Sequence, residues 1–288
     1  MRTTYFFIMA FSLSFSYGQN TKSFDYCYSH DGGIYVYSVS SKKAELVIKQ
    51  TDPYLSPDGT KLAYTTNSEN GNRQIEVMDL NTKQKTLLNT NNTNCYGPVW
   101  SPDGEFIVYN AFINNIWQIG IIDKDNHEPV IITKSQNYTT ENFSPTWSAD
   151  SKKIVVQNLD TVYIFSKEAN LIEKIPVNTF ANQDDMTSFS RFCLTKDENK
   201  IVFDCSVDEP GFNEPPGAIF VFDRKTKTTK RLTPKGYWCS QPFLKGDRIY
   251  FTASKKDSKF DNIFSIKTDG TEFKLMLKNA SDFTSKIK

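Results

Sequence analysis

Short strands of alternating or continuous apolar residues follow one another along this chain, and they recur in a fixed order. A proline-led piece comes first, as in Pro53-Tyr54-Leu55, Pro98-Val99-Trp100 and Pro145-Thr146-Trp147. After a tight turn comes a second strand, as in Lys61-Leu62-Ala63-Tyr64, Phe106-Ile107-Val108-Tyr109, Ile154-Val155-Val156 and Ile201-Val202-Phe203. A third strand follows, such as Ile75-Glu76-Val77-Met78-Asp79 or Ile219-Phe220-Val221-Phe222-Asp223, and then a shorter fourth: Leu87-Leu88, Ile131-Ile132-Thr133, Lys174-Ile175 and Arg231-Leu232-Thr233. Period-two segments rich in β-branched and aromatic residues, bounded by turn residues, read as β-strands. Four per unit is the pattern of a propeller blade.

The turn between the first and second strands sets the period. Ser56-Pro57-Asp58-Gly59 recurs as Ser101-Pro102-Asp103-Gly104 and decays to Ser148-Ala149-Asp150-Ser151 and Thr195-Lys196-Asp197-Glu198, at spacings of 45, 47 and 47 residues. Proline presets φ for the turn, aspartate suits the next position and glycine accepts the positive φ that follows. A period in the forties indicates an array of supersecondary units. A further unit begins at Pro242-Phe243-Leu244, with Lys245-Gly246-Asp247-Arg248 as a shorter hairpin and Ile249-Tyr250-Phe251 as its second strand. At the start, Asp25-Tyr26-Cys27-Tyr28, Ile34-Tyr35-Val36-Tyr37 and Leu46-Val47-Ile48 supply the later strands of a unit that lacks a first, and residues 282–287 supply a first strand with nothing after it. The expected fold is therefore all-β: a six-bladed propeller of four-stranded blades, its ring closed by the C-terminal strand completing the first blade. Closure removes two sheet edges open to aggregation.

These Ser-Pro-Asp-Gly repeats resemble the TolB-type six-bladed propeller, the WD40-like (PD40) repeat family, over almost the whole segment after residue 18. The resemblance implies architecture more than activity, because such repeats occur in periplasmic translocation proteins, peptidase propeller domains and polysaccharide lyases. The family's namesake carries an α/β domain ahead of its propeller. Six blades are expected to fill residues 19–288, so that domain is not expected here.

Residues 1–18 read as a signal peptide: Arg2 is the lone charge, Tyr5 to Phe15 is mainly apolar, and Ser16 and Gly18 are small. The apolar run is short for a membrane anchor, and the residue directly after the predicted cut is Gln19 rather than a cysteine, so a bacterial lipoprotein is not expected. The domain plan is a leader over 1–18 and one propeller over 19–288, exported to the periplasm or secreted, with no membrane insertion after cleavage. A formal net charge of +1 without a basic stripe argues against a nucleic-acid partner. Lysine pairs such as Lys42-Lys43 and Lys255-Lys256 suit edge protection. Five cysteines in an exported chain raise the question of disulfides. Cys95 and Cys239 hold equivalent positions in opposite blades, and Cys193 and Cys205 do not match in register. Buried free thiols are expected.

No catalytic constellation stands out. His30 and His127 fall in loop classes that open on opposite faces, so they cannot share a metal, and no nucleophile elbow or phosphate loop is present. No cofactor or metal is expected, and the repeated aspartates are explained by turn chemistry. The face opposite those turns gathers aromatic, amide and carboxylate residues: Tyr96, Tyr138, Glu141, Asp184, Asp185, Tyr237 and Trp238. Such groups on a rigid scaffold bind a protein, peptide or glycan. The expectation is a non-enzymatic binding module engaging an envelope protein, peptide or carbohydrate at the channel mouth. The alternative is a polysaccharide lyase or hydrolase using Glu141, Asp184 and Asp185. The 206–217 loop, longer than its counterparts and rich in proline and acid, is a candidate lid.

Overall fold

The computed structural model describes residues 21–136 and 140–287. The described chain forms six four-stranded antiparallel sheets. The first strand of each blade neighbours the first strands of the adjacent blades, so these six line the central channel. They are Ser281–Ser285 in blade one, Thr51–Leu55, Cys95–Trp100, Phe143–Trp147, Phe192–Leu194 and Tyr237–Lys245. Blade one is completed as expected: Ser281–Ser285 pairs with Tyr26–His30, matching Tyr26 with Ser285 and Cys27 with Thr284. The Thr284 hydroxyl also accepts the N–H of Leu55 at 3.0 Å, which ties the closing strand to blade two.

The Ser-Pro-Asp-Gly turns are built by their own side chains. In blade two, Ser56 donates to Asp58 at 2.6 Å and accepts the N–H of Lys61 at 2.8 Å, while Asp58 accepts the N–H of Thr60 at 3.0 Å. The degenerate copy in blade five keeps the same bonds: Thr195 to Asp197 at 2.7 Å and Asn199 N–H to Asp197 at 3.2 Å. Hydrogen bonds from Thr195 and Asn199 hold the Asp197 carboxyl down at about 2.

Apolar clusters fill the gaps between neighbouring blades. One joins Val99, Val108 and Ile119 of blade three to Trp147, Ile154 and Phe165 of blade four. The outermost strands depart from the sequence expectation. In blade three the strand is only Val130–Ile131, followed by a 3-10 turn over Ile132–Gln136, and in blade five it is Thr228–Arg231. In both, a threonine hydroxyl takes over from the backbone ladder: Thr133 accepts the N–H of Ile119 and Thr233 that of Ile219, each at 3.1 Å. All five cysteines are buried and unpaired, and burial pushes the Cys27, Cys193, Cys205 and Cys239 thiols up to about 12.

Candidate functional site at the loop end of the channel

Five of the six inner strands break register at one place, and Phe192–Leu194 of blade five pairs without a break. The break falls at Asp52-Pro53, Gly97-Pro98, Ser144-Pro145, Gln241-Pro242 and Asp282-Phe283. The first residue of each pair is left-handed, with φ of 51°, 64°, 52°, 56° and 51°. Proline has no N–H to give to the ladder, so a bulge is a natural place for it. Strained left-handed residues persist only where their surroundings hold them.

Four of them are held by a ring of polar side chains on the second strands of the preceding blades. Thr65 accepts the N–H of Gly97 at 3.0 Å, Asn110 that of Ser144 at 3.3 Å and Thr252 that of Asp282 at 3.3 Å. Asp204 serves two partners, the N–H of Arg191 at 2.7 Å and of Gln241 at 3.3 Å. Burial pushes the Asp204 carboxyl up to about 6 against those bonds. The sequence carried a signal for this ring: Thr65, Asn110 and Asp204 all stand six residues after the last residue of their turns, and Gln157, at the same offset in blade four, donates instead to the Thr187 and Ser190 carbonyls.

Asp52, Gly97, Ser144, Arg191, Gln241 and Asp282 thus converge, half-buried, at the loop end of the channel. The Asp52 carboxyl is raised by burial and by the charge of Asp282, while Thr65, Arg191 and Arg73 oppose the rise.

The residues picked from sequence fall into two groups around this ring. Tyr96 is half-buried beneath the Arg73 guanidinium, which lies 4.0 Å from its ring centroid and 4.9 Å from that of Trp117. Burial raises the Tyr96 hydroxyl, with Arg73 opposing and Asp52 and Glu141 contributing, so this corner faces the mouth. Glu141 is exposed, and Tyr138 lies outside the described residues. On the other side, Asp184 and Asp185 sit in a 3-10 turn, Gln183–Asp185. Burial and the neighbouring Asp184 raise the Asp185 carboxyl. Tyr237 and Trp238 part company. Tyr237 packs edge-on against Phe264 and Phe273 at 5.5 and 5.3 Å within blade six, whereas Trp238 is 39% exposed.

Trp238 lines a cleft of about 340 Å³ between blades five and six, with Phe189, Asp204, Ser206 and Gln241. Phe189 is 66% exposed and was not anticipated, because it stands in an irregular segment without strand periodicity. Gln241 belongs both to this cleft and to the ring at the mouth, so the two are continuous. The 206–217 loop borders Trp238 from the other side and is docked on the outer strand of its own blade and on blade six. Glu209 pairs with Arg231 at 2.8 Å and accepts the N–H of Gly236, and Gly211 lies against Lys256.

His30 lies against the Asn279 carbonyl at 2.5 Å. His127 lies against Asp123 at 2.7 Å in a third-to-fourth strand turn, and that carboxylate raises its pKa. Among the described residues, no group of three or more His, Cys, Asp or Glu side chains is placed to hold a metal ion, and no helix is long and apolar enough to cross a membrane.

This architecture and its turn chemistry define a TolB-like six-bladed β-propeller. The profile of the TolB beta propeller domain matches residues 10–191, and the chain belongs to that family. Among solved structures it is similar to TolB from Acinetobacter baumannii, with a TM-score of 0.64 and 17% identity over 92% of this chain and 66% of that one. The chain therefore spans about two thirds of that relative's length. It is also similar to a putative TolB from Agrobacterium tumefaciens, with a TM-score of 0.61 and 16% identity over 90% of this chain and 92% of that one. An oligogalacturonate lyase solved in complex with manganese shares the fold at a TM-score of 0.53 and 14% identity, over 85% of this chain and 70% of that one. At these identities the likeness concerns the fold. A search of curated protein sequences finds no significant match.

Proposed function

We propose that this protein is an exported, non-enzymatic propeller that binds a protein or peptide of the cell envelope through the loop end of its channel. The observation that carries this reading is the continuity of the aromatic cleft with the polar ring. Trp238 and Phe189 offer exposed apolar faces, and Gln241 joins them to the half-buried groups at the mouth. Large aromatics beside convergent polar groups are the usual composition of interface anchors. The left-handed bulges point the same way, since backbone strain gathers at binding sites. Residues 1–18 supply the leader for export to the periplasm or beyond, and the propeller over 19–288 is the mature protein.

The TolB structures support a partner within the envelope by family membership. A glycan fits the same aromatic cleft, and an arrayed-glycan screen separates it from a protein partner. The raised carboxyl of Asp185 favours the second reading, a polysaccharide lyase or hydrolase with Asp184 and Glu141. Against that reading, the acid lining the cleft, Asp204, already spends both oxygens on backbone N–H groups. The test is capture of partners by the tagged mature protein from its native envelope, repeated with Trp238→Ala and Phe189→Ala. Loss of a specific partner in both variants supports the proposal. Retention in both, or turnover of a glycan substrate by the wild type, contradicts it.

A further inference from the structure

The opposite end of the channel holds a different kind of site, one that the loop-face reading does not use. A cavity of about 280 Å³ opens among the Ser-Pro-Asp-Gly turns and runs inward to Arg191. Its wall is apolar and comes from five blades, including Tyr54, Val99, Trp147, Leu194, Phe243 and Leu244. The charged residues that line it are all cationic: Arg191 at the inner end, and Lys196 and Lys245 at the rim.

The carboxylates of the surrounding turns, Asp58, Asp103, Asp150 and Asp197, are each engaged by hydroxyl and N–H groups of their own turn, and none of them lines the cavity. Lys286, next to Lys245, pairs with Asp25 at 3.0 Å, and that carboxylate also accepts the N–H of Val39 at 2.6 Å. The Lys245 ammonium donates to the Lys286 carbonyl at 2.7 Å. Partial burial and the neighbouring Lys286 charge lower its pKa, with Asp25 opposing. Among the described residues, none of Lys196, Lys245 and Arg191 has a carboxylate in salt-bridge contact. An anion at the rim relieves the repulsion between Lys245 and Lys286, and an apolar body leaves water for the wall behind it.

We propose that the turn-face end of the channel binds an anionic amphiphile of medium chain length, such as a fatty carboxylate. Its head sits at the rim between Lys196 and Lys245, and its tail lies in the cavity against Val99, Trp147, Leu194 and Phe243. The volume suits one such molecule, being near the lower limit of small-ligand pockets at roughly 300 Å³. Two tryptophans, Trp100 and Trp147, line the cavity and report its occupancy.

The experiment is titration of the mature protein with decanoate, below its micelle concentration, followed by tryptophan fluorescence and calorimetry. Decanol and decylamine are the comparison probes. The proposal predicts saturable binding of decanoate at one site per chain, with decylamine at least tenfold weaker. It predicts at least a tenfold loss in a Lys196→Glu/Lys245→Glu protein, and a comparable loss in Val99→Phe, which narrows the cavity. The lysines are exposed, and unchanged circular dichroism and thermal midpoint show that the variants fold; Lys196→Ala/Lys245→Ala provides a milder pair with the same sign. Absence of saturable binding overturns the proposal. So does equal binding of decanoate and decylamine, or binding by wild type that neither the lysine pair nor Val99→Phe weakens.

Discussion

The Asp204 carboxylate accepts the backbone N–H of Arg191 at 2.7 Å on its own blade, while its other oxygen reaches Gln241 of the next blade. One buried side chain thus fixes two of the six residues at the channel mouth. Asp204→Ala leaves both N–H groups without their partner. The expected cost is about 2–6 kcal/mol, at roughly 1–3 kcal/mol for each unsatisfied group, measured by urea unfolding. The companion expectation is weaker partner binding, because Gln241 is released at the mouth.

The same residue gives a pH signature. Its folded pKa, about 6, lies above the ordinary 3.8 because burial disfavours the charged form. The stability it contributes is therefore fully present below pH 3.8 and is lost as pH rises through about 6. Asp204→Asn does not titrate, so the wild type should lose stability relative to it between pH 4 and 7, by up to about 3 kcal/mol. Carbon-detected NMR of the carboxyl should show a midpoint near 6. A midpoint below 4 would refute the burial argument.

Two glycines at equivalent turn positions should respond unequally. Gly59 and Gly104 both have positive φ, at 74° and 82°. A Cβ on Gly59 would lie 2.2 Å from the Phe24 carbonyl oxygen, whereas on Gly104 its nearest neighbour is Pro57 at 3.8 Å. Gly104→Ala should cost about 1–2 kcal/mol for the left-handed backbone alone. Gly59→Ala must also displace the segment at Phe24, whose N–H donates to the Gly59 carbonyl at 2.8 Å, and should cost on the order of 3 kcal/mol or more. Thermal unfolding of the two variants checks the order.

Ring closure is testable at Thr284. Its hydroxyl lies 3.0 Å from the Cys27 thiol and takes the Leu55 N–H. Thr284→Val keeps the shape but removes that acceptor, and about 1–3 kcal/mol should be lost. Deleting residues 281–288 removes the inner strand of blade one and exposes the edge of Tyr26–His30. The expected result is aggregation on refolding, followed by light scattering.

The fold was legible because its turns are written in side-chain chemistry. Ser56, Asp58 and Gly59 each do something no other residue type does as well, so even the decayed copy at Thr195-Lys196-Asp197-Glu198 announced itself. The outer strands were less legible, because Thr133 and Thr233 end the ladder with a hydroxyl that looks like one more β-branched strand residue. At the site, Tyr237 and Trp238 were chosen together. Successive strand residues point to opposite faces, and period alone does not say which of the two turns outward. Phe189 had no periodicity to mark it. The polar ring and the apolar cavity at the turn end were missed for another reason. Both are assembled from different blades, and only the register between blades brings Thr65 to Gly97 or Leu194 to Val99.

The central claim is that the loop end of the channel is the partner-binding surface. It is tested most directly by site-specific photo-crosslinking in the native envelope, with the crosslinking residue placed at Phe189 or, on the turn face, at Lys152. The account predicts one discrete protein adduct from position 189, none from position 152, and loss of the adduct in a Trp238→Ala background. The same adduct from position 152, or none from position 189 while the partner still co-purifies, would place binding elsewhere and contradict the account.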